Sequence, residues 1–331
     1  MSTGEFDLIA RHFTGRAARQ ANTWVRMGIG DDAAVLAPEP GHQMVISTDM
    51  LVEGRHFFAD VSPEALGHKA LAVNLSDLAA MGARPLGFTL ALALPAADDA
   101  WLEKFAEGMF ALAEAHNCPL LGGDTTKGPL NICITIFGDV PDGAALLRGG
   151  AQVGDLIYVS GTIGDAHLAL ANRLQGSDAT ATFLPEDLRT LLQARLDRPT
   201  PRNQLGMLLR GIASSAIDLS DGLRGDLLHL VRASHAGADI QANALPASAA
   251  LTQLPPTRRL ACQVNGGDDY ELLFTAPKRH AQAIERLAIE CKLPLTPVGQ
   301  ITADHDSVRF LDDEGSLIDP PGTSFDHFAQ T

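Results

Sequence analysis

The sequence has few cysteines, and none of them forms the C-x-x-C pair typical of zinc sites. The four cysteines, Cys118, Cys133, Cys262 and Cys291, are far apart, and no histidine lies at zinc-ligand spacing from them. Four cysteines could form two disulfide bonds, but nothing marks the chain as secreted. Its first residues contain neither a basic region nor the apolar segment of a signal peptide. We therefore predict four buried thiols in a cytoplasmic protein.

The chain also lacks a long apolar segment and an excess of basic residues. The longest apolar run, residues 86–97, contains Thr89 and Pro95 and is too short to cross ~30 Å of hydrocarbon. The formal net charge is −15, whereas nucleic-acid binding needs basic surface to displace the counterions of the phosphates. The sequence therefore predicts no membrane segment and no nucleic-acid partner. An anionic small substrate remains compatible if metal ions neutralise its charge.

Aromatic residues make up only 5% of the 331 residues, so the cores must consist mainly of Ala, Leu, Val and Ile. Short apolar strand patterns alternate with helical patterns along the whole chain. This mixture predicts an α/β (α+β) fold of two mixed domains, divided near residue 145, shortly after Pro141-Asp142-Gly143. The predicted strands are 44–47, 87–94, 131–140, 156–160, 215–219, 270–275 and 296–300. The predicted helices are 62–81, 98–116, 166–174, 186–193 and 220–234. Residues 312–315 are predicted to form the turn of a final hairpin.

Common phosphate-binding and hydrolytic motifs are missing. The chain contains no Walker A loop, no G-x-S-x-G elbow and no H-E-x-x-H helix. Residues 28–33 match the G-x-G-x-x-A pattern of dinucleotide-binding folds, and Asp49 follows about 20 residues later. However, Pro38 and Pro40 prevent the helix that such a site requires. Asp31 and Asp32 would also place negative charge where a pyrophosphate binds.

Aspartates follow two of the predicted strands. Residues 45–49 end in Ser47, Thr48 and Asp49, and residues 217–222 place Asp218, Ser220 and Asp221 in the same way. Mg²⁺ prefers oxygen ligands and retains phosphate oxygens and waters in its coordination sphere. Each such segment could instead be a turn or a helix cap. Together they favour a magnesium site that holds phosphate groups.

Asp77 is the most unusual acid in the sequence. From Ala70 to Ala83 the predicted helix is apolar except for Asn74, Ser76 and Asp77, and it contains no Lys or Arg. A carboxylate on an apolar helix is costly unless a cation or hydrogen bonds compensate for its lost hydration. A metal ligand explains Asp77; exposure on a solvated helix face is the alternative.

Three further features fit a phosphate site. Gly122-Gly123-Asp124-Thr125-Thr126-Lys127 is predicted to be a glycine loop that lets the backbone approach a phosphate, with Asp124 as a metal ligand. Ser220 is predicted to open a helix and cap it, so that the first-turn amides meet an anion. His56 could donate a hydrogen bond to a substrate phosphate or could be an ordinary surface histidine.

Together these segments resemble one family, thiamine-monophosphate kinase, of the aminoimidazole-ribonucleotide synthetase-like superfamily. Residues 69–83, around Asp77, are the most specific match, and the resemblance extends over essentially the whole chain in family order. The matching segments are Gly4-Glu5-Phe6, Gly30-Asp31-Asp32-Ala33, Ser47-Thr48-Asp49 with His56, 69–83, Gly122-Gly123-Asp124-Thr125-Thr126, Asp218-Leu219-Ser220-Asp221-Gly222-Leu223, Tyr270-Glu271-Leu272 and Asp326-His327-Phe328.

The resemblance implies transfer of a phosphoryl group from ATP to thiamine monophosphate, the last step of thiamine diphosphate biosynthesis. It implies a direct in-line transfer assisted by several Mg²⁺ ions, without a covalent enzyme intermediate. Residues 1–145 are expected to bind ATP and metal and to form a homodimer by pairing their sheets. Residues 146–331 are expected to close the active-site cleft.

Positions that match the family imply individual roles. The implied metal ligands are Asp32, Ser47, Thr48, Asp49, Asp77, Asp124, Asp218 and Asp221. The implied ATP contacts are Gly123, Asp124, Arg148 and Ser220, and the implied substrate contacts are His56, Asp268 and Phe325. Where the family commonly has Gly-Gly-Glu-Asp-Tyr, this chain has Gly266-Gly267-Asp268-Asp269-Tyr270, so the acid is one methylene shorter. Phe325 stands where an aromatic residue stacks on the substrate, a position at which Trp or Tyr also occurs.

Two other functions are alternatives to a thiamine-monophosphate kinase. A related synthetase that makes selenophosphate should carry a reactive cysteine near the N-terminal glycine motif, but no cysteine precedes Cys118. An acidic metal-buffering or scaffold protein would not need the two Gly-Gly-Asp segments. An assay of ATP turnover separates that class from an enzyme.

Overall fold

The computed structural model describes residues 8–17, 22–29, 31–175 and 184–322. The chain forms two compact units. The first ends at Ala145 and leaves out Ala79–Gly82, whereas the second begins at Leu146 and includes those four residues. Within the described ranges, every helix is too short or too polar to cross a membrane.

The first unit is built around a four-stranded sheet. Its strand order is β3-β6-β4-β5; β4 and β5 are parallel, and the other neighbours are antiparallel. A separate antiparallel pair, β1 and β2, precedes it. The elements are a helical segment at Ala10–Thr14 and Gly15–Ala17, β1 Val25–Met27, β2 Val35–Leu36, β3 His42–Val52, α1 Pro63–Ala80, β4 Arg84–Leu94, α2 Asp99–Ala115, β5 Leu120–Lys127 and β6 Asn131–Pro141.

Local signals explain where α1 and α2 begin and end. Pro63 occupies the first position of α1, where its missing N–H costs no hydrogen bond. Gly82 follows α1 with φ +64°, and its N–H donates to Ala79 O at 3.0 Å. Asp98 caps α2, since its carboxylate accepts from the amides of Ala100 and Trp101 at 3.0 and 3.1 Å. Both predicted helices therefore agree with the structure to within one residue at each end.

The two faces of this sheet have different surroundings. On one face, Phe88, Leu90 and Leu92 are buried, and α1 covers the sheet through contacts such as Leu78 against Gly138. The opposite face carries Ile46, which is 60% exposed, and Met50, which is 53% exposed. A sheet that exposes large apolar residues on one face offers a surface for association.

Helices α1 and α2 meet with their backbones in contact. A Cβ atom on Gly67 would lie 2.0 Å from Phe105 O, and one on Gly108 would lie 1.8 Å from Glu64 O. Only glycine fits at these two positions. The contact is therefore closer than ordinary side-chain packing allows.

The second unit contains a seven-stranded mixed sheet in the order β13-β12-β9-β11-β7-β10-β8. Its elements are β7 Leu156–Ser160, α3 Asp165–Gln175, α4 Glu186–Asp197, α5 Asn203–Leu208, β8 Ser215–Asp218, α6 Leu223–Ala233, β9 Gly237–Gln241, α7 Pro256–Asn265, β10 Leu272–Ala276, α8 Ala281–Glu290, β11 Leu295–Thr302, β12 Val308–Leu311 and β13 Leu317–Ile318. Short 3-10 turns lie at Ala242–Ala244, Leu251–Gln253 and Lys278–His280.

Both faces of this sheet are covered. Ile157 and Val159 of β7 pack with Leu227 of α6 in one buried cluster. Tyr158, between them in sequence, packs on the other face with Phe274 and with residues of α5 and α8. Buried strands of this kind are apolar on successive residues rather than on alternate ones.

The structure corrects three element predictions. The predicted glycine loop at residues 122–127 is part of strand β5. Helix α6 begins at Leu223 rather than at Ser220. Strand β10 begins at Leu272, because Asp268 and Tyr270 just before it have positive φ angles of 67° and 51°. The other predicted strands and helices named above are present, and the hairpin at residues 312–315 joins β12 to β13.

All four cysteines are free thiols, as predicted. Cys118 and Cys262 are buried, but Cys133 and Cys291 are partly exposed, so the prediction of burial is wrong for these two. Cys133 lies on the open face of the sheet, opposite Met50.

Candidate functional site

Strand β3 and helix α1 bring three of the predicted metal ligands together. Ser47 and Asp49 lie on the face of β3 that α1 covers, and the Ser47 hydroxyl donates a hydrogen bond to the Asp77 carboxylate. Asn74, one turn before Asp77, accepts a hydrogen bond from Asp49 N at 3.2 Å. The Asp77 side chain is partly exposed, and it has a hydrogen-bond partner on β3. Its carboxylate is thus already held by a hydroxyl donor.

Thr48 and Asp124 lie on the other face of the same sheet. The Thr48 hydroxyl is 2.9 Å from the Thr135 hydroxyl on β6. Asp124 is in register with Ala91, whose exposed side belongs to that face. Strands β3 and β5 form opposite edges of the sheet, so Asp124 lies three strands from Thr48, about 14 Å at the usual strand spacing.

A β-bulge sets the face on which Asp124 lies. Phe88 pairs with Leu120, but Thr89 pairs with Gly122, so Leu121 is an extra residue in β5. If the pairing of Phe88 with Leu120 continued without the bulge, Asp124 would be in register with buried Leu92 rather than with Ala91, because a shift of one residue reverses the face. The Leu121 side chain fills the space over Gly87, where a Cβ would be only 2.7 Å away.

Gly123 is required by the same strand pair. A Cβ atom at this position would lie 1.9 Å from Leu90 O. The glycine therefore permits close contact with β4, and the Gly-Gly-Asp motif is a strand with a special packing requirement rather than a flexible loop.

His56 follows β3 in a turn that fixes its ring. Its Nδ1 accepts a hydrogen bond from Val52 N at 3.0 Å, and its own amide donates to Val52 O at 3.0 Å. A neutral ring therefore carries its proton on Nε2, a suitable donor to a phosphate oxygen. Asp32 is not part of β3 or α1; it lies in the exposed connection between β1 and β2.

In the second unit, β8 ends at Asp218, which is 6% exposed. Residues 219–222 then form a loop before α6. The amides of Ser220, Asp221 and Gly222 each donate to the same oxygen, Asp226 Oδ2, at 3.1 Å. The prediction that Ser220 caps a helix whose amides meet an external anion is therefore wrong, because a side chain of the same unit accepts from these amides.

Negative charge accumulates around this loop. Burial, together with the carboxylates of Asp218 and Asp221, raises the pKa of Asp226 to about 8, against the opposing effect of the backbone hydrogen bonds. A cation near Asp218 and Asp221 would relieve that repulsion.

Asp268 is held directly against the same loop. Its amide donates to Ser220 O at 2.9 Å, and Tyr270 N donates to Leu219 O at 2.8 Å. A Cβ on Gly267 would lie 2.4 Å from Ser220 O, so the two segments are in close contact. The structure thus brings together the predicted nucleotide contact Ser220 and the predicted substrate contact Asp268.

Two buried acids beside Asp268 were not predicted. Glu271, 1% exposed, accepts hydrogen bonds from Arg195 at 3.0 Å, from Arg202 Nε at 2.7 Å and from the Ser160 hydroxyl at 2.5 Å. Asp269 accepts from Gly164 N at 2.8 Å, and burial raises its pKa well above the usual value. Both lie in the Asp-Asp-Tyr-Glu segment, so the sequence motif did contain a signal for them.

His167 is a third residue that the sequence did not indicate. It belongs to α3, and its Cβ lies 2.4 Å from where a Cβ on Gly266 would be. Burial lowers the pKa of His167, while the nearby Asp268 carboxylate acts in the opposite direction. The Asp268 carboxylate is therefore close enough to His167 to act on its pKa.

Arg148 is exposed and lies beside β8. Leu147 O accepts a hydrogen bond from Ala216 N at 3.0 Å, and Arg148 O accepts from the Ser234 hydroxyl at 3.1 Å. Arg148 thus borders the first half of the strand that ends at Asp218. Phe325, Gly4-Glu5-Phe6, Gly30 and residues 326–328 lie outside the described residues.

Among the described residues, Glu39, His42 and Asp139 are close enough together to hold a metal ion. Arg84 already occupies this cluster: its guanidinium donates to Asp139 at 3.0 and 2.7 Å and to Glu39 at 3.2 Å. These contacts raise the pKa of Arg84. We interpret the cluster as a structural ion-pair network.

The donor atoms of the predicted ligands suit a hard cation. Ser47, Asp49, Asp77 and Asp218 offer carboxylate and hydroxyl oxygens, the ligands that Mg²⁺ prefers. No thiol or imidazole is part of that predicted set. The residues present therefore fit magnesium.

Comparison with known proteins decides the family. The model for AIR synthase related protein, N-terminal domain, matches residues 30–140, and that for the C-terminal domain matches residues 152–312. A thiamine-monophosphate kinase from Escherichia coli (strain K12) is 47% identical over 333 residues, with 99% of each chain covered. This chain belongs to the thiamine-monophosphate kinase family. The resemblance inferred from the sequence is confirmed, and the chain is an enzyme of the phosphotransferase class.

Solved structures of family members share the fold. The thiamine-monophosphate kinase of Stenotrophomonas maltophilia K279a is 46% identical, with a TM-score of 0.85, and the match covers 96% of this chain and 99% of that one. AaThiL complexed with AMPPCP and TMP is 29% identical, with a TM-score of 0.76 and coverage of 98% and 97%. The predicted fold class, two mixed α/β domains of this family, is confirmed.

Proposed function

We propose that the protein transfers a phosphoryl group from ATP to thiamine monophosphate, giving ADP and thiamine diphosphate in the last step of thiamine diphosphate biosynthesis. The observation that carries the proposal is the hydrogen bond between Asp268 N and Ser220 O. This bond joins Asp268, which is assigned to thiamine monophosphate, to Ser220, which is assigned to ATP. A relative with 29% identity binds AMPPCP, an ATP analogue, together with TMP.

We assign several Mg²⁺ ions to the oxygen donors of both units. When bound, these ions supply positive charge that neutralises the phosphates of the two substrates. The proposed ligands are Asp32, Ser47, Thr48, Asp49, Asp77, Asp124, Asp218 and Asp221. Their own scaffold is rigid: α1 holds β3 through Asp77 and Asn74, and Asp226 holds the loop that follows Asp218.

The protein's contribution to the transfer is positioning. The acceptor phosphate oxygen is already ionised at neutral pH, so the reaction needs no strong general base and proceeds by direct in-line attack. Asp124, Gly123, Arg148 and Ser220 are assigned to ATP. His56 donates from Nε2 to the acceptor phosphate, and the Asp268 carboxylate with Phe325 contacts the thiamine moiety, whose thiazolium ring is cationic.

We further propose a homodimer formed through the sheet of the first unit. Its open face exposes Ile46 and Met50, an unusual feature for a monomer. The first unit thus carries dimerisation and part of the ATP and metal binding.

We infer that the reaction takes place in the cytoplasm. The four cysteines are free thiols, and two of them are partly exposed, as is usual in a reducing compartment.

An assay with purified protein, ATP and Mg²⁺ tests the substrate. We expect thiamine diphosphate to form from thiamine monophosphate and ADP to appear in equal amount, with little turnover of unphosphorylated thiamine. Chelation of the metal should abolish turnover, and added Mg²⁺ should restore it. Equal turnover of thiamine and thiamine monophosphate would refute the substrate assignment.

A further inference from the structure

Asp226 has no role in the function described so far, yet it organises the loop before α6. It is 3% exposed and lies in the first turn of that helix. One of its oxygens, Oδ2, accepts hydrogen bonds from three consecutive amides, those of Ser220, Asp221 and Gly222. Its own amide donates to Gly222 O at 3.0 Å. The loop and the first turn of α6 are therefore joined through this single side chain.

The peptide groups of Ser220 are fixed from two sides. Ser220 N donates to Asp226, and Ser220 O accepts from Asp268 N. A ligand can therefore meet Ser220 through its hydroxyl but not through its backbone amide. This arrangement gives Ser220 one defined way to contact a nucleotide.

Hydrogen bonds also connect this loop to the segment that contains Asp268, the residue assigned to thiamine monophosphate. Asp268 and Tyr270 adopt positive φ angles, an unfavourable conformation for residues with side chains. Their amides donate to Ser220 O and Leu219 O, and these bonds help to maintain the conformation. A loop that lost its shape would therefore also release Asp268.

We propose that Asp226 is a positioning residue for both substrates: its carboxyl group fixes residues 219–222, which carry Ser220 and Asp221, and through Ser220 O it fixes Asp268. This inference rests on the proposed function, since that function assigns Ser220 and Asp221 to ATP and metal and Asp268 to the acceptor. Asp226 itself contacts no substrate.

Two variants test the hydrogen-bond acceptor to different extents. Asp226→Ala removes the acceptor, whereas Asp226→Asn keeps one carbonyl oxygen for the three amides. Asp155→Asn is the matched control, since Asp155 is also buried in the second unit at 4% exposure and accepts from Gln152 N at 3.0 Å and from the Ser214 hydroxyl at 2.5 Å. Asp155 has no link to the 219–222 loop in the contacts described above.

Hydrogen exchange measures the loop without any substrate. We expect the amides of residues 220–222 to exchange at least 10-fold faster in Asp226→Ala than in the unchanged protein, less so in Asp226→Asn, and at the unchanged rate in Asp155→Asn. Unaltered exchange in Asp226→Ala overturns the proposal. If Asp226→Ala does not fold, exchange in Asp226→Asn decides, and a rate equal to that of the unchanged protein overturns it.

Kinetics at saturating Mg²⁺ separate positioning from a purely structural role. Asp226→Ala should raise KM for ATP and KM for thiamine monophosphate together, by about fivefold or more each, with Asp226→Asn in between. A merely structural residue would lower Tm and leave both KM values unchanged in the folded fraction, and this result contradicts the proposal. An equal change in Asp155→Asn also contradicts it.

Failure of the proposed function is recognised separately. In that case the unchanged protein does not phosphorylate thiamine monophosphate, whatever the variants do. Hydrogen exchange still reports whether Asp226 shapes the loop, and calorimetric titration with ATP and Mg²⁺ then tests its effect on the nucleotide alone.

Discussion

At the scale of single residues, backbone hydrogen bonds define what a side chain can contribute. Ser220 illustrates this, because its amide and carbonyl are both occupied within the second unit. Its hydroxyl is the group that remains for a nucleotide, while the contact to Asp268 depends on the carbonyl.

Ser220→Ala should therefore affect the two substrates unequally. Loss of one hydrogen bond to a charged ligand costs about 1.5 kcal/mol, so KM for ATP should rise roughly 10-fold. KM for thiamine monophosphate should stay within about twofold, since alanine keeps the carbonyl that binds Asp268 N. Steady-state kinetics with each substrate varied in turn measure both values, and Ser215→Ala on β8, the strand that precedes the loop, serves as control. A parallel rise in both KM values would contradict this assignment.

Asp77→Asn should preserve folding and lower turnover. The Ser47 hydroxyl can still donate to an amide oxygen, so the packing of β3 on α1 should survive and Tm should change little. Turnover should fall by about 10²-fold, equivalent to ~3 kcal/mol, because the charge that holds cations is lost. Turnover measured across a Mg²⁺ titration, with Glu64→Gln on the same helix as control, tests this. Near-normal turnover at every Mg²⁺ concentration would exclude Asp77 as a ligand.

Asp165 predicts a pH dependence of stability. It is fully buried and receives hydrogen bonds from Thr162, at 2.9 Å, and Ser248, but burial raises its pKa above the usual 3.8. The folded protein thus binds this proton more tightly than the unfolded chain, so stability is lost as pH rises from about 4 through the raised pKa. Asparagine cannot ionise and avoids this loss.

The Tm of Asp165→Asn relative to the unchanged protein should therefore increase from pH 4 to pH 8. Thermal melts of metal-free protein at several pH values measure the difference. Asp313→Asn, in an exposed turn, is the surface control measured at the same pH values. A difference for Asp165→Asn that stays constant or decreases with pH would contradict the role of burial.

At the scale of elements, glycine contacts determine how closely neighbours approach. Gly108→Ala in α2 should destabilise the protein by about 3 kcal/mol, the upper range for overpacking, because its Cβ would lie 1.8 Å from Glu64 O. Gly128→Ala is the matched control in the same unit: its Cβ would meet the nearest atom, Ala93 Cβ, at an ordinary 3.5 Å. Chemical denaturation of both variants measures the two free energies of unfolding. A cost below 1 kcal/mol for Gly108→Ala would mean that the helices can separate easily.

The elements that sequence could predict were those with local signals. Helices α1 and α2 carry a proline or aspartate at the start and, for α1, a glycine at the end, and both were predicted to within one residue. Strand β5 was not, because two adjacent glycines are usual in loops, and the need for Gly123 arises from Leu90 O on a distant strand. The start of α6 was missed for a similar reason: Ser220 is a good cap by composition, but Asp226 accepts from the amides instead.

Candidate site residues, like the elements, could be predicted where local sequence signals mark them. Ser47, Asp49 and Asp77 were predicted and lie together, since strand and helix patterns place them. The face occupied by Asp124 depends on a bulge of one residue, which no local pattern revealed. His167, Asp226 and Glu271 were missed because their importance comes from tertiary contacts to the segments that the motifs mark.

At the scale of the whole molecule, association is the main prediction. Ile46→Asp, on the open face of the sheet, should convert a homodimer into a monomer of 35.0 kDa, because it places a charge at the centre of an apolar contact. Ile289→Asp is the control: Ile289 is even more exposed, at 79%, but lies on α8 of the second unit. Sedimentation velocity at micromolar concentration measures both, and circular dichroism checks folding. Dimers that persist in Ile46→Asp, or a monomeric unchanged protein, would refute pairing through this face.

The backbone contact between α1 and α2 also limits how the first unit can move. Motion within a protein occurs by shear, in which packed helices slide by an ångström or two, or by hinge rotation at a few residues. Sliding α1 along α2 would drive Gly67 and Gly108 out of the only positions where the two backbones fit, and ordinary side chains on either side would collide. Shear of α1, which carries Asp77 and Asn74, along α2 is therefore unavailable. Because α1 and α2 move together, we expect rearrangement of this unit during turnover to come from hinges in its connecting segments, such as the turn at Gly54 that carries His56.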